Sequence, residues 1–197
     1  MSSERRHRTS PTELRALSHP TRLTLLTLLD EEGPLTATEA GERIGESPAN
    51  ASFHLRTLAK YGYVEEAPGG RGRQRPWQVV REANDIPGDE LSADAKLAAN
   101  ALLELIRDRD NDRLRVYGQT RDHFPKQWRS AATEMRMSLH LTAAELADVG
   151  ERIEELLQPY IERAVEDDRR PGTLPVAFGL FAVPTRLPAD DDEGDLR

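Results

Sequence analysis

The sequence predicts an α+β chain in two parts: four helices closed by a β-hairpin in front, and a mixed helical and βαβ arrangement behind. Three observations lead there. Helix-start signals recur at Ser10-Pro11, Thr36 and Ser47-Pro48. After residue 60 the apolar period changes from helical to extended. Beyond the turn-rich "NDIPGDE" at 84–90, helix-like and strand-like stretches alternate.

The elements follow in order. "SPTELRAL" has Ser10 as N-cap, Pro11 at the first helical position and Glu13 three residues after the cap, a capping box. "HPTRLTLLTLLDEE" is opened by Pro20 and is too apolar to face water on any side, so it is central; Gly33-Pro34 ends it. "TATEAGERIG" repeats the capping box with Thr36 and Glu39, and a tight turn at Gly45 leads into "SPANASFHLRTLAKYGYV". There Ala51, Leu55 and Leu58 fall at i, i+4 and i+7, a buried stripe. "YGYVEEA" and "PWQVVRE" around "PGGRGRQR" read as a hairpin with an arginine-rich tip.

Behind the turn-rich stretch, Ser92 caps a long helix with Ala98, Ala101, Leu102, Leu105 and Ile106 on its apolar face, ending before Pro125. "ATEMRMSLHL" alternates Met135, Met137, Leu139 and Leu141 with Glu134, Arg136, Ser138 and His140, the pattern of a strand with one buried face. A helix follows with a Thr142–Glu145 capping box, which Pro159 is expected to kink. "LPVAFGLFAV" at 174–183 reads as a second strand, completing a βαβ unit. The domains expected are a flexible basic arm at 1–9, a front domain at 10–83, a linker at 84–91, a back domain at 92–184 and a disordered acidic tail at 185–197.

Composition narrows the function. The 197 residues are 37% hydrophobic with no cysteine, which rules out disulfides and thiolate metal sites and fits a reducing cytoplasm. No apolar run approaches bilayer length, and the start lacks a secretory h-region. The net charge of −8 is unevenly spread: residues 1–81 hold 12 Lys+Arg against 10 Asp+Glu, and 82–197 hold 15 against 25. Local potential steers a polyanion, so a mildly basic front half suits one despite the global sum.

The front elements stand in the order of a winged helix-turn-helix. A recognition helix enters the major groove N-terminus first, so its early residues must be short enough to approach base edges. Pro48, Ala49, Asn50, Ser52 and Phe53 lie near that end and off the buried stripe. Asn50 has the amide that pairs with adenine, and Ala49 or Phe53 can touch a thymine methyl. Arg56 and Lys60, further along, suit phosphates, as do Arg71, Arg73, Gln74 and Arg75 on the wing. Phe53 has a competing reading as core, and His54 reads as a packed residue beside Leu55 rather than a metal ligand.

From Pro11 to Val80 the chain resembles the ArsR-type winged-helix repressors, in the branch with an extended C-terminal domain. The likeness is carried by "ALSHPTRLTLLTLL", "TATEAGERIGESPANASFHLRTLAKYGYVEE" and the wing "GRGRQRPWQVV". It implies a transcriptional repressor acting through recognition helix 47–61 and wing 67–76, with double-stranded DNA as partner. The apolar faces of 92–110 and 143–165 exceed what one small domain covers and point to a homodimer, which would match a palindromic operator.

Metal sensing, a familiar activity of such regulators, finds no cysteine here, and the five histidines have no paired spacing. No cofactor is expected. There is no phosphate-binding glycine loop and no nucleophile beside a base, so no enzyme is expected either. Trp77, Tyr117, Phe124 and Trp128, around the junction of the halves, suit either an effector pocket for an organic molecule or an apolar seam. A partner protein is the other effector class. The rival to DNA binding is a winged-helix module for protein or RNA.

Overall fold

The front half is organised around α2 (Pro20–Glu32), in which Leu25 and Leu29 have essentially no solvent contact. The computed structural model describes residues 6–7, 10–69, 75–80, 84–85, 91–165 and 170–187. Pro20 starts α2 at a position whose N–H would be unpaired in any case. His19 is its N-cap, with Nδ1 accepting from the Thr21 N–H at 3.2 Å. Gly33, at φ 93°, ends it.

α1 (Pro11–Leu17) precedes it, but Ser10 makes no side-chain cap, so the capping box expected with Glu13 is not formed. That turn is tied down from outside instead: the Tyr63 hydroxyl donates to the Glu13 carbonyl at 3.0 Å. α3 (Ala37–Ile44) does carry its Thr36–Glu39 box, and the bonds from Thr36 hold the Glu39 carboxyl below the usual carboxylate range. Gly45, left-handed at φ 73°, turns the chain into α4 (Pro48–Lys60). The turn between α3 and α4 folds back on Gly41, where a Cβ would lie 2.8 Å from the Glu46 carbonyl oxygen and 3.4 Å from the Ala51 Cβ of α4.

β2 (Val64–Glu66) and β3 (Trp77–Val79) form the expected antiparallel hairpin, Val64 opposite Val79 and Glu66 opposite Trp77. Trp77 also exchanges backbone hydrogen bonds with Leu35, which ties the hairpin to the α2–α3 connection. In the arm and linker, β1 (Arg6–His7) pairs in parallel with β4 (Asn84–Asp85).

α5 (Ala93–Thr120) does not belong to the back half alone. Its Ala95, Ala98, Ala99 and Leu102 share a core with Leu14 of α1 and Leu23 of α2. The buried face is therefore one step round from the expected one: Ala101 is exposed, and Ala95 and Ala99 take its place. Arg15 pairs with Asp94 in the first turn of α5. Further along, Arg109 donates to Thr27 at 2.9 Å and Arg113 to Glu31 at 3.1 Å. A 3-10 turn (Arg121–His123) ends the helix before Pro125, and α6 (Lys126–Ala131) follows.

The βαβ arrangement is not formed in the single chain. Residues 132–142 and 173–184 contain no strand. A strand obtains its hydrogen bonds from a neighbour, and among the described residues these segments have none. Between them stands α7 (Ala143–Val165), with the Thr142–Glu145 box in place and Pro159 inside it, contained without ending the helix.

Candidate nucleic-acid interface

α4 is held by one face and offered by the other. Ala51, Leu55 and Leu58 are fully buried, as their spacing predicts, and His54 joins them at 6% exposure. The opposite side shows Pro48, Ala49, Phe53, Arg56 and Lys60, all exposed, with Ser52 and Asn50 half-buried. Phe53 is 59% exposed, so its core reading gives way. Ser47 caps the helix by accepting from the Asn50 N–H at 3.2 Å. The first turn thus projects short side chains and spare N–H groups from a rigid element, which is what a helix entering a groove requires.

The side chains there are already engaged. Asn50 Nδ2 donates to Glu46 Oε2 at 2.8 Å, so half of the amide that would pair with adenine is held by a carboxylate. Glu46 is absent from the residues that sequence reasoning singles out, although its i, i+4 spacing from Asn50 is a legible signal. Arg56 Nε lies back on the Ser52 carbonyl at 3.2 Å, and the Lys60 ammonium sits 5.3 Å from the centre of the Tyr61 ring. Both are local contacts that a phosphate can outbid.

On the wing, Arg75 is exposed and paired with Glu66 at 3.2 Å. Arg71, Arg73 and Gln74 lie outside the described residues.

Behind α4 a small polar cluster interrupts the apolar core. The His19 and His54 rings are 4.6 Å apart, tilted at 42°. Burial lowers the pKa of both, and the nearby Arg22 charge adds to it, while Glu46 pulls the other way. Among the described residues, His54 Nδ1 and Arg22 Nε have no hydrogen-bond partner although both are buried. The cluster therefore favours neutral imidazoles, and His54 acts as a packed residue. Among the described residues no three of His, Asp and Glu gather as metal ligands.

The four aromatic residues do not form one group. Tyr117 and Phe124 meet at 5.6 Å between ring centres, and Trp128 stands nearby in the chain on α6. Trp77 packs instead against the front core.

No described helix is long and apolar enough to cross a membrane. None of the curated proteins compared matches the chain. Residues 17–66, from the end of α1 through β2, match the family model of a helix-turn-helix domain. Fold, element order and this match agree: the front of the chain carries a helix-turn-helix domain.

Proposed function

We propose that the protein is a sequence-specific transcriptional regulator of the ArsR type, a cytoplasmic repressor that binds a palindromic operator as a homodimer. Helix 47–61 enters the major groove and the wing 67–76 lies along the adjacent backbone. The observation that carries this is the two-sidedness of α4: a fully buried stripe of Ala51, Leu55 and Leu58 fixes its axis, and the short or cationic residues Pro48, Ala49, Ser52, Arg56 and Lys60 line the other side. Asn50 supplies base readout once it leaves Glu46, and Arg56, Lys60 and the wing arginines supply phosphate contacts. Tyr117, Phe124 and Trp128 are the place for an organic effector, which acts by binding one dimer geometry better than another.

A gel shift with the gene's own upstream region, run against random duplex and RNA competitors, tests it. Retention that random DNA and RNA fail to displace is the expected result. Equal displacement by RNA, or no shift at all, would favour a protein- or RNA-binding module instead.

A further inference from the structure

The back half carries two strand-like segments and a helix stripe whose large apolar side chains are mostly exposed, and among the described residues neither segment pairs with a strand. Met135, Met137, Leu139 and Leu141, on one side of the alternation in 133–141, are 43–71% exposed. In 174–183 both alternating sets are apolar: Val176, Phe178 and Leu180 in one, Phe181 and Val183 in the other, 60–88% exposed. On α7 between them, Leu146, Val149, Ile153, Leu156 and Tyr160 repeat at steps of three and four, with Leu156 70% and Tyr160 60% exposed.

The patterns say what each piece needs. A strand that is apolar on one side has one wet face; a strand that is apolar on both is covered twice and belongs inside a sheet. A two-stranded sheet alone is marginal, and three or more strands with a covered apolar face are needed. One chain supplies two such segments, and two chains supply four, with two α7 helices to cover them. Among the described residues, fourteen large apolar side chains between Met135 and Val183 are exposed. At roughly 80 Å² each they amount to ~1,100 Å² per chain and ~2,200 Å² for a pair. That lies within the range of obligate homodimers, about 2,000–5,000 Å².

We propose that the occupant is a second copy of this chain. Segments 133–141 and 174–183 of two protomers pair into one intermolecular sheet, 174–183 inner and 133–141 outer, with the two α7 helices covering both apolar faces of the inner strands. The back half thus completes its fold only on dimerisation. This deepens the homodimer reading above and rests on it, but on no DNA contact.

The test uses the full-length chain without DNA: sedimentation across a dilution series, with amide hydrogen exchange at each concentration. A dimer is expected in which both segments exchange at least about a hundredfold more slowly than free peptide. That protection should vanish with the dimer on dilution, and in Phe178→Asp, while α2 and α4 stay protected. If the variant does not fold, the wild-type dilution series decides by itself. A dimer whose two segments exchange freely overturns the shared sheet but leaves the homodimer standing. A monomer with free segments overturns both and points to a different partner. A monomer with protected segments means a sheet within one chain and overturns the second copy as occupant.

Discussion

Gly41→Ala and Gly118→Ala are the same substitution, each within a helix, and they should move stability in opposite directions. At Gly118 nothing lies within 4 Å of an added Cβ, so only helix propensity changes, a gain of about 0.5–1 kcal/mol. At Gly41 the new carbon would stand 2.8 Å from the Glu46 carbonyl oxygen and 3.4 Å from the Ala51 Cβ. The first contact is with the backbone of the turn between α3 and α4 and cannot be relieved by rotating a side chain, so that turn must shift and carry the start of α4 with it. Overpacking of this kind costs about 1–3 kcal/mol. Set against the propensity gain, the net loss is about 0–2.5 kcal/mol, centred near 1. For a chain of this size each kcal/mol is worth about 2–4 °C, so scanning calorimetry should show Gly41→Ala melting lower by up to ~10 °C and Gly118→Ala slightly higher. Because the displaced element is the one offered to DNA, Gly41→Ala should also weaken operator binding at temperatures where it remains folded. A Tm that rises with Gly41→Ala as it does with Gly118→Ala would refute the close approach of the Glu46 turn to Gly41.

Asn50→Ala should cost about 1–3 kcal/mol on the operator and little on random duplex, whereas Arg75→Ala should weaken both alike and flatten the salt slope by about one; anisotropy titrations at several salt concentrations separate the two, and a reversed pattern reassigns the groove contacts. Glu46→Gln removes an anion beside the groove-facing turn and should tighten binding to any duplex; weaker binding would mean that Glu46 holds Asn50 in its reading pose. His19 and His54 are both held below the usual histidine pKa, first by burial. The unfolded chain therefore binds more protons, and their stabilisation is complete above about pH 6.5 and lost as pH falls through the lowered folded values. Tm should accordingly drop on acidification, with the drop shallower in His54→Gln; equal slopes would remove these rings as the cause. Leu102→Ala should cost about 2–5 kcal/mol and lower the melting of the front half with it, which fluorescence of Trp77 in a Trp128→Phe background reports; an unmoved front transition would deny the shared core.

The front half is legible because its determinants are local. Ser47 caps Asn50, Thr36 pairs with Glu39, and Ala51, Leu55 and Leu58 declare one face within a few residues of one another. The face of α5 is harder, since in "ADAKLAANALLELI" the alanines look alike from every side, and only Leu14 and Leu23 across the contact select Ala95 and Ala99 over Ala101. The Asn50–Glu46 bond is written in the spacing, but an amide at the front of a recognition helix invites a reading toward DNA rather than toward its own neighbour. The period in 133–141 and 174–183 states which side of a strand is apolar, but not where its neighbour comes from. That information is not contained in one copy's local sequence.

The polar segment at 84–90 looks like the place to cut the chain, yet Leu14 and Leu23 rest on α5 beyond it. A fragment ending there would open one wall of the DNA-reading domain to water. A portable piece instead runs past Ile106, the last residue packed on that cluster, to Arg113, which still reaches Glu31 of α2. Swapping back halves between regulators of this design therefore means joining two helices in register, much as one splices a shaft. The angle of that splice would set how far apart two recognition helices stand, and so which operator spacing the hybrid accepts.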